Sequence, residues 1–177
     1  MLDEPRIKEA RSNVKNYLEE GLLKKITFKG EEVKKILINN SRESLKVADT
    51  LFSMIISSLW VIVSSYYAMF YITSAVLYEL GYKIEHKIPH KIAADSLIIF
   101  VRSKLKDTLI EEYEDAQQEA LELSGIKADE LIESFDFERI KRSRFQYSMT
   151  ETSVRSRAQT SLERAKRFIF EMEKLLQ

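Results

Sequence analysis

At 177 residues and without a cysteine, the chain has room for one substantial core and excludes a disulfide framework, a thiol nucleophile and a cysteine-ligated zinc site. Four glycines and two prolines are too few for the many turns of an all-β fold, and 45% hydrophobic with 32% charged residues is the balance of a water-soluble, charge-rich globule. The formal net charge is zero, so any preference for an anionic partner has to come from where the charges lie.

Long periodic segments with few breakers predict an all-α fold: an up-and-down bundle of four to six helices, with residues 1–30 as an N-terminal helical extension and 31–177 as the bundle. The opening MLDEPRIKEA is acidic and helical in pattern rather than a signal peptide. Asp3, Glu4 and Pro5 start a first helix that is expected to reach about Lys25, with Ile7, Ala10, Val14, Leu18 and Leu22 on one stripe. Gly30 breaks the chain. A second helix follows from about Glu31, with Val33, Ile36, Leu37, Leu45, Ala48 and Leu51 as its apolar stripe. A bend near Ser57 and Ser58 separates it from the most apolar stretch, SSLWVIVSSYYAMFYITSAVLYELGY, which carries no charge between Thr50 and Tyr78. That stretch is long enough to cross a bilayer. Its serines and the four tyrosines of its uncharged part, Tyr66, Tyr67, Tyr71 and Tyr78, are spread along its length, however, which suits a protein core where hydroxyls find partners, whereas a lipid-facing helix holds its aromatics at the two ends. It is therefore expected to be the central helix of a soluble bundle, with no membrane contact and a cytoplasmic location.

Beyond Gly81, YKIEHKIPHK forms a turn, and Pro89 opens a helix from about His90 to Leu105. Asp107 caps an acidic helix to about Ser124, interrupted by Gly125. Another helix spans about Lys127 to Tyr147, and a last one is capped by Thr152 or Ser153, with Val154, Ala158, Leu162, Ala165, Ile169, Met172 and Leu176 as its stripe. No strand-like alternation stands out.

Little in the chain has the spacing of a catalytic motif. His86 and His90 lie four apart, but Pro89 stands between them and no third ligand is evident, so no metal is expected. There is no P-loop, GxGxxG or GxSxG sequence, and no cofactor is expected. The charge pattern says more. From Asp107 to Glu138 there are twelve acids and one base; from Arg139 to Arg167 there are nine bases and two acids. Either the two blocks pair across neighbouring helices, or the basic block receives an anionic partner. Its densest part, Arg139, Lys141, Arg142, Ser143, Arg144 and Tyr147, with Arg155 and Arg157 beyond, combines guanidinium forks for phosphate with a ring for stacking, as an RNA- or nucleotide-binding helix would.

YYAMFYITSAVLYELG with HKIPHK, and RSRFQY with SLERAKRFIFEMEKLL, resemble in order and spacing the HEPN (higher eukaryotes and prokaryotes nucleotide-binding) domains, over roughly residues 32–177. The resemblance implies a bundle of about four or five helices and a homodimer. Many members are ribonucleases in which an Arg, a polar residue, three spacers and a His meet at the dimer interface. Arg142 and Ser143 match the start of that pattern, while Tyr147 stands where the His would be. Small HEPN proteins with Tyr at that place are commonly encoded beside a minimal nucleotidyltransferase. A phenol titrates near ~10 and is a poor general base at neutral pH. Three functions therefore follow as expectations: a binding module for RNA or nucleotide, partnered by a nucleotidyltransferase in a toxin–antitoxin-like pair; a metal-independent endoribonuclease using Arg142 and Tyr147 catalytically; or a structural protein without a nucleic-acid ligand.

Overall fold

The computed structural model describes residues 2–85, 87–135 and 151–177, with side chains for all of these except 126–135 and 151–153. Six α-helices are present among them: α1 (Glu4–Glu19), α2 (Glu31–Ser53), α3 (Ser58–Glu79), α4 (Pro89–Phe100), α5 (Asp107–Phe135) and α6 (Glu151–Glu173). The chain is an all-α bundle with one small sheet, β1 (Leu23–Lys25) and β2 (Tyr82–Ile84).

The helix ends follow from local chemistry. At α1, the Asp3 carboxylate accepts the Arg6 N–H at 2.8 Å and Pro5 occupies the first turn. The same helix stops at Glu19, well before Lys25, because Gly21 turns left-handed at φ 70°. The Leu22 N–H then bonds the Tyr17 carbonyl, and the Gly21 N–H that of Leu18, which satisfies two end carbonyls. Gly81, at φ 89°, ends α3 in the same way, and its carbonyl accepts the Ile26 N–H. Ser57 caps α3 through its hydroxyl, so the bend expected there is present. At the end of α2 it is Ile55 that takes the left-handed position, φ 55°, where a β-branched side chain is strained.

Between Gly21 and Gly30 the chain is extended. Leu23 faces Ile84, Lys24 faces Lys83 and Lys25 faces Tyr82 in an antiparallel pair. Glu85 bridges the two facing lysines, 3.1 Å from Lys24 and 3.4 Å from Lys83. Their hydrogen bonds and charges hold its carboxyl below the usual range. Three residues per strand are too few for alternation to show in the sequence.

Further along, α4 ends at Phe100 and passes into a 3-10 turn, Arg102–Lys104. Asp107 opens α5 and accepts a hydrogen bond from Arg102. Gly125 does not interrupt α5. No neighbour lies within 4 Å of a Cβ at that position and its φ is not left-handed, so the helix continues to Phe135. One exposed glycine costs a helix only about 1 kcal/mol, less than breaking and renucleating it. Residues 127–135 thus belong to α5, and the rest of the expected helix to Tyr147 lies outside the described residues. Thr152 and Ser153 fall inside α6, so neither caps it.

At the centre lies α3, packed against α2, α4, α5 and α6. It is the one helix among the described residues long and apolar enough to cross a membrane, and fourteen of its 22 residues are buried in the bundle. Three of its hydroxyls find partners, while the buried Ser65 and Thr73 hydroxyls have none among the described residues. Tyr78 accepts the Gly30 N–H at 3.0 Å, Ser74 donates to the Phe70 carbonyl at 2.9 Å, and Tyr66 pairs with His90 Nδ1 at 2.8 Å. Across the closest helix pair, the fully buried Ser41 of α2 donates to the Ala68 carbonyl at 2.7 Å.

Candidate functional site

Arg139, Lys141, Arg142, Ser143, Arg144 and Tyr147 lie outside the described residues. What the fold does define is the two helices that precede and follow them in sequence, α5 and α6. These two helices run antiparallel and are laced by charge. Arg157 pairs with Glu119, Arg164 Nη2 lies 3.6 Å from Asp115, and Arg167 Nη2 lies 2.6 Å from Glu112. Ser161, itself buried, adds a hydrogen bond to Glu119 Oε2 at 3.3 Å. The expected pairing of acidic and basic blocks is therefore real for the α6 half of the basic block. These pairs are partly or largely exposed, and each is worth at most about 1 kcal/mol, so they set helix register more than stability. Arg155 is different: its guanidinium carbon sits 4.9 Å over the Phe52 ring at the end of α2 and it has no ion pair among the described residues. An exposed guanidinium over a ring keeps its outer N–H groups available to an anion.

His90, at the start of α4 as expected, is half-buried. Its ring lies 4.6 Å from Phe70, 5.5 Å from Tyr66 and 5.6 Å from Tyr67. Burial lowers the imidazole pKa below its ordinary value. Burial likewise raises the Tyr66 phenol, and Tyr113, whose hydroxyl faces Tyr66 and Thr73, is raised too. The cluster is thus neutral at physiological pH and packs α4 and α5 onto α3. His86 lies outside the described residues, and no group of three His, Asp or Glu side chains able to hold a metal is present among them.

A second polar cluster has a clear sequence signal, the lone acid in AADSLIIF. Asp95 is fully buried. Its Oδ1 faces Arg6 Nη2 at 2.7 Å, and its Oδ2 accepts from Tyr17 OH at 2.9 Å and Asn13 Nδ2 at 3.0 Å. Arg6 also donates through Nε to Glu114 at 2.9 Å. Burial alone would lower the guanidinium pKa, but the hydrogen bond and charge of Asp95 and the charge of Glu114 outweigh it and raise it. With every partner supplied from within the chain, this cluster joins α1, α4 and α5 and is closed to a ligand.

Concave surface is found between α2 and α3. A groove of about 570 Å³ is lined by Asn40, Glu43, Ser44 and Val47 from α2 and by Trp60, Val63, Ser64, Tyr67 and Tyr71 from α3. It is aromatic on one wall and amide, hydroxyl and carboxylate on the other, with no cation in its lining.

No protein-family model matches the chain, and no curated protein matches it either.

Proposed function

We propose that the chain is a HEPN-like binding module for RNA or nucleotide, acting as a homodimer beside a minimal nucleotidyltransferase. The observation that carries this reading is the use already made of the α5 carboxylates. Glu112, Glu114, Asp115 and Glu119 have Arg167, Arg6, Arg164 and Arg157 as their partners. Those four acids are therefore engaged by arginines other than the Arg139–Arg144 run, and Arg139, Lys141, Arg142 and Arg144 are read as serving an anion from outside the chain, with the exposed Arg155 as a further cation. Phosphate oxygens suit guanidinium forks, and Tyr147 supplies a face for a base.

Binding is expected to be salt-sensitive. A fluorescent single-stranded RNA of about 16 nucleotides, followed by anisotropy, should lose about tenfold in affinity on Arg142→Ala, and the slope of log affinity against log salt should fall by about 0.7. Equal affinity for wild type and Arg142→Ala, or no binding by either, would remove the proposal. The same RNA recovered intact after incubation with EDTA keeps the protein a binder, whereas cleavage lost in Arg142→Ala turns it into the metal-independent ribonuclease. Co-purification with a minimal nucleotidyltransferase tests the partner.

A further inference from the structure

The outward face of α2 carries more apolar surface and more unpaired charge than this chain uses. Eleven large hydrophobic side chains are exposed among the described residues, and seven of them lie between Val33 and Trp60: Val33, Ile36, Val47, Met54, Ile55, Ile56 and Trp60. Val33, Ile36 and Val47 are exposed on α2, and the other four follow at its end and at the start of α3. Along α2, Glu31, Lys34, Arg42 and Asp49 have ionic partners within the chain. The other four charged residues of the helix, Glu32, Lys35, Glu43 and Lys46, are exposed and have none among the described residues.

Those four share one stripe, at the three- and four-residue spacing of a helix face. Their order is acid, base, acid, base, and the order is self-complementary. Laid antiparallel on a second α2 about a two-fold axis at Asn39, Glu32 meets the partner's Lys46 and Lys35 meets the partner's Glu43, each twice by symmetry. The parallel arrangement sets like charge on like. The antiparallel register also lays Ile36, 56% exposed, opposite the Arg42–Glu43 region of the other copy, over the aromatic groove that Asn40, Glu43, Tyr67 and Tyr71 line. The same side chain becomes the knob on one protomer and meets the hole on the other, which is how an isologous interface closes on itself.

We propose that a second copy of this chain occupies the α2–α3 groove, as a two-fold dimer whose register is set by Glu32–Lys46 and Lys35–Glu43 pairs between protomers. The proposal deepens the dimeric reading given above by naming the surface, and it does not depend on the RNA ligand.

Charge swaps test it on the full chain by light scattering after gel filtration. Wild type should be a dimer. Lys35→Glu and Glu43→Lys should each weaken association about tenfold or more, since every reversal turns two attractive contacts into two repulsive ones. Mixing the two single variants should restore a dimer of wild-type mass, because each then faces its opposite, and the double variant K35E/E43K should restore it within one chain. Circular dichroism confirms folding, and Glu32→Lys with Lys46→Glu repeats the test at the outer pair. A monomeric wild type, a dimer indifferent to all reversals, or weakened variants that fail to recover when mixed would each overturn the proposal. RNA anisotropy on the same samples separates the two readings: restored dimers without RNA binding sink only the ligand, and RNA binding without charge-swap rescue sinks only this interface.

Discussion

Asp95→Ala is the most informative single change to the fold. It removes the one carboxylate that Arg6, Asn13 and Tyr17 converge on, at 2.7, 3.0 and 2.9 Å, in a site with no solvent exposure. Hydrogen bonds to a charged group contribute about 1.5–3 kcal/mol, and breaking a buried ion pair from one side costs about 3–5 kcal/mol. The Arg6 side chain is 25% exposed and keeps Glu114 at 2.8 Å, so the guanidinium left behind is not stranded. That places the expected loss near the lower end, at about 3 kcal/mol. With a urea slope of about 2 kcal/mol/M, the unfolding midpoint should fall by about 1.5 M. Arg6→Met should cost less in the Asp95→Ala background than in wild type, because its main partner is already gone. A loss under about 1 kcal/mol for Asp95→Ala, or an Arg6→Met cost that is the same in both backgrounds, would refute the account of this cluster.

Two further outcomes follow from the helix ends and the aromatic cluster. Ile55→Gly should stabilise the protein by about 1 kcal/mol in chemical denaturation, since it relieves a left-handed β-branched residue whose side chain is 72% exposed; a destabilisation would mean that the side chain contributes more than its strain costs. For His90, burial depresses the folded-state pKa below the ordinary 6.5, so below that pH the unfolded chain binds more protons and stability falls as pH is lowered. Melting temperature should therefore drop between about pH 7.5 and about pH 5.5 by more in wild type than in His90→Gln, and parallel curves for the two would remove His90 as the cause.

The outward residues of α2 illustrate a limit of periodicity. Val33 and Ile36 belong to a stripe that reads as buried, yet both are exposed, while Ser41, outside it, is fully buried against α3. A helix with two apolar stripes does not say which one its own chain will cover. The candidate site was legible as a charge pattern, Arg139 to Tyr147, and as the RSRFQY resemblance, and its residues fall outside the described structure. The ionic use of Glu112, Asp115 and Glu119 by α6 became visible once α5 and α6 lay side by side.

Composition and local chemistry alone determined the helical class, the buried central helix, most helix starts and the end of α3, because these depend on interactions within a turn or two of chain: Asp3 and Ser57 as caps, Pro5 and Pro89 in first turns, Gly81 as a left-handed stop. Tertiary structure decided everything that joins residues distant in sequence. The Leu23–Ile84 strand pair, the burial of Asp95 beneath Arg6 and Tyr17, and the enclosure of His90 by Tyr66 and Phe70 all depend on which elements meet. A residue's own neighbours carry no record of the partner it will find across the bundle.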